Sequence, residues 1–142
     1  SAPLPPSVSD LNMEADGLKG REVLLVEDDE SNRLVMEMVL KRMGLGVTTA
    51  RNGVEAVEKV AEKAFSFILM DVEMPLMNGI DATREIRRLQ SNGGEIPIIA
   101  VTAHAATVSK EDCFEAGMND YLAKPLQIDQ IRAVVEKHLR TR

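Results

Sequence analysis

Five short apolar runs alternate with five stretches of helical spacing, and that alternation leaves the chain very few folds to adopt. The runs are Glu22 to Val26, Val47 to Ala50, Phe65 to Met70, Ile96 to Val101 and Asp120 to Ala123. Each is dense in aliphatic and β-branched residues and too short for a helix, the pattern of strands buried on both faces. After the first run, Leu34, Val35, Met38, Val39 and Met43 recur at helical spacing, which predicts the buried stripe of a first helix. Val54, Val57, Val60, Ala61 and Ala64 predict the second stripe, and Ile80, Thr83, Ile86 and Leu89 the third. A weaker helix is expected from Thr107 to Ala116, and a last one carries Ile128, Ile131, Val134, Val135 and Leu139 on one face. Single helices between strands imply parallel pairing through right-handed crossovers. The expected architecture is α/β, a (βα)5 doubly wound parallel five-stranded sheet.

Composition narrows the function classes. The chain has 142 residues and a net charge of −6, against a main role in coating nucleic acid or an anionic membrane. The one cysteine, Cys113, allows no internal disulfide and excludes Cys-rich zinc modules. No apolar run exceeds four residues, so no membrane span or signal peptide is expected. Pro3, Pro5, Pro6, Ser7 and Ser9 carry no periodicity, so residues 1–19 are read as a loosely ordered linker arm and 20–142 as the domain. The start at Ser1 and the end soon after the last helix suggest a piece of a longer protein with no DNA-binding output domain attached.

Four of the five runs end in a charged or reactive residue. The first leads into Glu27, Asp28, Asp29 and Glu30, the third into Asp71, the fourth into Thr102 and the fifth into Lys124. In an open parallel sheet these carboxyl ends share one edge, where ligands bind at the reversal of strand order. Three carboxylates gathered there would repel one another unless a cation sat among them. Hard oxygen ligands with room for water suit Mg²⁺ better than zinc or copper. A carboxylate beside Mg²⁺ can attack a phosphoryl group and form an acyl phosphate. Lys124 would supply a compact positive charge and Thr102 a hydroxyl for the phosphoryl oxygens.

At this point the residues resemble a family, the receiver domains of two-component response regulators, over residues 20 to 142. The stretches that carry the likeness run from Val23 to Asp29, Ile68 to Gly79, Pro97 to Ala103 and Gly117 to Pro125. Each is weak alone; four in order and at this spacing are specific. The resemblance implies a flavodoxin-like strand order of 2-1-3-4-5 and a phosphoacceptor at Asp71. It implies Mg²⁺, with Mn²⁺ as a substitute, held by Glu27, Asp28, Asp71 and the backbone carbonyl of Glu73. Thr102 and Tyr121 resemble the family's switch pair and Lys124 its invariant lysine, and the Lys124–Pro125 bond is expected to be cis. Glu73 and His104 stand at the two positions that tune the lifetime of the aspartyl phosphate. The implied partner is a histidine kinase dimerisation domain or a histidine phosphotransfer domain, with no direct contact to nucleic acid or membrane. The implied setting is cytoplasmic. The approach to the domain, Leu18 to Arg21, looks like the junction ahead of the C-terminal receiver of a hybrid sensor histidine kinase.

Rival readings share parts of this pattern. A flavodoxin-like FMN carrier needs a hydroxyl- and amide-rich phosphate loop where this chain has four acids, and it has only four aromatics to stack a flavin. Dinucleotide and P-loop fingerprints are absent. An aspartate-nucleophile phosphatase or phosphotransferase of haloacid-dehalogenase type uses the same chemistry. That class places its nucleophile after the first strand, with a second Asp two residues on. A pseudo-receiver that binds partners without phosphorylation is opposed by the complete residue set.

Overall fold

The computed structural model describes residues 18–89 and 94–140. Five strands alternate with five helices: β1 (Glu22–Val26), α1 (Glu30–Arg42), β2 (Gly46–Ala50), α2 (Gly53–Glu62), β3 (Phe67–Asp71), α3 (Gly79–Arg88), β4 (Ile98–Thr102), α4 (Lys110–Ala116), β5 (Asp120–Ala123) and α5 (Ile128–Arg140). All four pairings are parallel, in the order β2-β1-β3-β4-β5. The order reverses between β1 and β3, so the crevice at their carboxyl ends is the expected ligand position.

Burial explains why the strands were readable. Every residue of β3 and β4 is buried, whereas the edge strands β2 and β5 each bury only one residue. Alternate strand residues feed two cores. Val23, Leu25, Phe67, Leu69 and Val101 pack with Met36, Leu40 and Met43 of α1 and with Ile131 and Val135 of α5. Leu24, Val26, Ile68, Met70 and Ala100 pack with Ala56 and Val60 of α2, Ile86 of α3 and Cys113 of α4. Thus α1 and α5 cover one face of the sheet, and α2, α3 and α4 the other.

Helix starts follow from single side chains. Asp29, Asn52, Asn78 and Ser109 each accept a hydrogen bond from the backbone N–H three residues on. Such caps are worth about 1 kcal/mol each. They sit on the same edge as the site, so the loops entering it are fastened at their helical ends.

Three expectations are corrected. On α1 the inward residues are Met36 and Leu40, joined by Met43 at its C-cap, while Leu34, Val35 and Met38 are exposed. On α2 the buried positions are Gly53, Ala56 and Val60; Val54 and Ala61 are exposed, as is Ala64 beyond the helix end. Helix α4 begins at Lys110, because Ser109 caps it, and not at Thr107. Leu18, on the arm side of the boundary set at residue 20, is fully buried in the α1/α5 core. The rest of the expected arm, residues 1–17, lies outside the described residues.

Arg87 closes the end of the sheet opposite the site. Its guanidinium donates to the carbonyls of Gly117 and Ile96 and to Asn119 Oδ1, at 2.6 to 3.0 Å. Asn119 Oδ1 also accepts from the Ile98 N–H at 2.8 Å. One planar fork therefore ties the end of α3, the start of β4 and the turn before β5.

Candidate functional site

The first acidic pair follows β1. Glu27 is 1% exposed, and its Oε2 accepts from the Asp29 N–H at 3.1 Å, which turns the carboxylate back over the loop. Asp28 is exposed, and Asp29 points to the helix as its cap. Asp71 closes β3 and is 3% exposed. Ligand oxygens of Glu27, Asp28 and Asp71 all lie within 4.8 Å of one another.

Lys124 balances this charge. Its Nζ lies 2.6 Å from Glu27 Oε1 and 3.3 Å from Asp71 Oδ2. The first contact is a short, charge-assisted pairing of the ammonium with a carboxylate that is almost wholly out of water. The Lys124–Pro125 peptide bond is cis.

Electrostatics follow from this packing. Burial and then the neighbouring Glu27 charge push Asp71 up to about 7, against the pull of Lys124 and of the Glu73 N–H. Burial draws Lys124 down, but the two carboxylates outweigh it and hold the ammonium above its ordinary range. A carboxyl poised near neutrality among like charges is a site short of positive charge. Three hard oxygen donors around it fit a divalent cation of the Mg²⁺ kind.

Around this centre stand the other expected residues. Thr102 ends β4, is fully buried, and its Oγ1 accepts from the His104 N–H at 2.9 Å. His104 Nδ1 lies 2.7 Å from Glu73 Oε1, so the two exposed side chains bridge the loops after β3 and β4. Tyr121 is half-buried; its hydroxyl donates to the Ala105 carbonyl at 2.8 Å, and Lys110 Nζ sits 4.8 Å from its ring centroid. The loop after β3 returns tightly to the sheet. A Cβ at Gly79 would run into the Asp71 carbonyl, and one at Gly53 into the Met77 carbonyl.

Sequence reasoning missed Arg33. Its Nη1 donates to the Glu27 carbonyl at 3.1 Å and braces the acidic loop from the first turns of α1. The only available signal was a cation six residues beyond the acid. Ala105 was missed too, because a backbone acceptor leaves no trace in the sequence.

The comparisons with known proteins agree with this geometry. The family model for the response regulator receiver domain matches residues 23–136. The sensor protein GacS of Pseudomonas syringae pv. syringae is 41% identical over 117 residues, 81% of this chain. The chain spans only 13% of that protein's length. The receiver domain of a sensor histidine kinase from Pseudomonas aeruginosa PAO1, solved with magnesium in its active-site cleft, is 42% identical with a TM-score of 0.78. That match covers 85% of this chain and 98% of the other. A third structure, the Saccharomyces cerevisiae histidine phosphotransfer protein Ypd1 with the receiver domain of Ssk1, matches at 26% identity and a TM-score of 0.76. It covers 87% of this chain and 92% of that one. Sheet order, site and matches agree: this chain belongs to the response regulator receiver domain family of two-component signalling. Its relatives include the receivers of hybrid histidine kinases.

Proposed function

We propose that this domain takes a phosphoryl group from a phosphohistidine onto Asp71. The observation that carries the reading is a nearly buried aspartate among two further carboxylates and one ammonium, with its carboxyl raised to about 7. Glu27, Asp28, Asp71 and the Glu73 backbone carbonyl would hold Mg²⁺, with Mn²⁺ able to substitute. A bound divalent ion supplies the positive charge that keeps Asp71 ionised and neutralises the incoming phosphoryl oxygens. An Asp71 oxygen attacks phosphorus and the O–P bond forms. The P–N bond to the donor imidazole breaks, and its electron pair returns to the ring nitrogen, which takes a proton from solvent. Lys124 draws the phosphoryl oxygens by charge. The Thr102 hydroxyl, already accepting from His104, keeps its proton to donate to them. Glu73 and His104 stand where they would govern the approach of water and thus the lifetime of the acyl phosphate.

The donor would dock beside α1. Leu34, Val35 and Met38 are 54%, 60% and 65% exposed. A cavity of about 380 Å³, lined in part by Val35, Met36, Val39, Lys124, Pro125 and Leu126, joins that face to the site. The yeast complex supports a histidine phosphotransfer partner, and the Dictyostelium discoideum relatives named hybrid signal transduction histidine kinases support a parent hybrid kinase, for which the setting we propose is the cytoplasm. No helix among the described residues is long and apolar enough to cross a membrane.

The chemistry is tested by intact mass after incubation with a small acyl phosphate, with and without Mg²⁺. One phosphoryl adduct is expected, dependent on the metal and mapping to Asp71. A folded protein with no adduct would point to a pseudo-receiver, and steady release of phosphate over many cycles to a phosphatase.

The switch would run through the segment between β4 and α4. That segment is stitched at one side by His104 N–H to Thr102 and at the other by Tyr121 to the Ala105 carbonyl. A phosphoryl group drawing Thr102 would pull both and shift the face made by α4, β5 and α5. Amide exchange with Mg²⁺ and a phosphate mimic should change chiefly over residues 102–125. An unaltered pattern there would sink the switch.

A further inference from the structure

We propose that Arg33 is a positioning residue that sets the acidic site's preference for Mg²⁺ over a larger divalent cation, by fixing the peptide between Glu27 and Asp28. The inference rests on the phosphoacceptor reading above and deepens its metal site. Asp28 is the ligand least held by its own side chain. It is exposed, and among the described residues nothing forms a hydrogen bond or ion pair with its carboxylate. Glu27 and Asp71 are each held by Lys124 and by a backbone N–H. How Asp28 meets those two is therefore set by the backbone that carries it.

That backbone is held on both sides of Asp28. Before it, the Glu27 N–H donates to the Ala50 carbonyl at 3.0 Å and continues the sheet one residue past β1. After it, the Asp29 carbonyl accepts from the Arg33 N–H and the Asp29 carboxylate from the Asn32 N–H, both at 2.8 Å. The Arg33 side chain adds the hold on the peptide plane itself, since its Nη1 donates to the Glu27 carbonyl at 3.1 Å. Rotation of this plane changes ψ at Glu27 and φ at Asp28, the soft angles through which both carboxylates are placed. A donor fixed on the carbonyl resists that rotation.

Rigidity of this kind discriminates between cations. Mg²⁺ is small and demands near-octahedral oxygens, whereas Ca²⁺ takes more ligands in looser arrangements. A loop held at its carbonyl suits the first, and a loop free to turn disfavours it more than the second. Arg33 also brings a positive charge near the acids, which by itself opposes any dication. Position and charge thus pull in opposite directions. Losing the charge alone would tighten Mg²⁺ and Ca²⁺ alike, while losing the hold weakens Mg²⁺ more than Ca²⁺. Groups that orient metal ligands without touching the metal typically change affinity by roughly ten- to a hundredfold.

The test titrates Mg²⁺ and Ca²⁺ separately into wild type, Arg33→Met and Arg33→Lys. Dissociation constants are read from the amide NMR shifts of residues 27–29 and 71–73. Methionine and lysine are both good helix formers, and the metal-free amide spectrum shows that each variant keeps the fold. The expected result for Arg33→Met is Mg²⁺ binding weakened about tenfold. Ca²⁺ binding should weaken less, so that the ratio of the two affinities falls. Lysine keeps a charged donor on a stem of similar reach and should recover most of the loss. Mg²⁺ binding that is unchanged or tighter in Arg33→Met overturns the proposal, because the charge then outweighs the hold. Equal weakening of both cations also overturns it, because the arginine then only supports the fold. Failure of the metal reading shows separately, as wild-type amides at those residues that neither cation moves.

Discussion

Asp71→Asn should lose phosphoryl uptake entirely and, without added metal, unfold at a higher denaturant concentration than wild type. The second result follows from the first residue's environment. The Asp71 carboxyl lies near 3.8 in the unfolded chain and about 7 in the folded one, because burial and Glu27 oppose its charge. Between those values the native state holds a proton that the unfolded state has released. Stability from this group is therefore greatest below pH 3.8 and is lost as pH rises to 7. Above pH 7 the whole burden of a buried, repelled carboxylate is present, of the order of 4 kcal/mol at most. Asparagine keeps the shape and drops the charge. The stability gap between mutant and wild type should open from about pH 4, widen to about pH 7 and then stay level. Urea titrations at several pH values, with chelator present, measure it. Mg²⁺ should close the gap by stabilising wild type only, since a ligand of the native state adds stability by mass action. Mutant and wild type of equal stability at pH 8 without metal would remove the electrostatic argument.

That trade of stability for chemistry explains which parts of the molecule could be read from sequence. β3 and β4 are buried on both faces, so they appear as unbroken aliphatic runs, and the residues that end them stand out by contrast. Asp71 and Thr102 were visible because each interrupts an apolar pattern at a place where packing has no use for polarity. Glu27 was visible only within a run of four acids. Its separation from Asp29 depends on which side chain caps α1, which the fold decides.

The face of α1 was not legible, for a related reason. Leu34, Val35, Met36, Met38, Val39 and Leu40 wrap most of the helix in apolar groups, so helical spacing fits more than one inward stripe. The sheet and α5 select Met36, Leu40 and Met43, leaving Leu34, Val35 and Met38 outside. The excess that blurred the prediction is the surface proposed above for the donor. Arg33 and Arg87 escaped notice because their main partners are backbone carbonyls, which carry no residue identity.

Lys124→Met should reduce phosphoryl uptake by about a hundredfold or more, the scale of losing one aimed charge at a reacting group. Methionine keeps most of the lysine stem's length, so packing changes little and the measured effect is that of the charge. The ammonium is the one cation contacting both Glu27 and Asp71 among the described residues, at 2.6 and 3.3 Å. Removing one partner of a buried ion pair leaves its partners uncompensated and costs about 3 kcal/mol. Lys124 is held charged above its ordinary range, so its contribution is fully present at neutral pH and would be lost only in strong alkali. The pH dependence of the mutant therefore comes from its partner. Without Lys124 the Asp71 carboxyl moves further above 7, and at pH 5 it is protonated in either protein. The destabilisation should be largest near pH 8 and smaller at pH 5, where only Glu27 is left unpaired. In an Asp71→Asn background the same substitution should cost less at pH 8, because one of the two charges it would strand is gone. A double-mutant cycle by urea unfolding measures that coupling. Additive effects at pH 8 would mean that Lys124 answers to Glu27 alone, and that its contact with Asp71 contributes nothing to the fold.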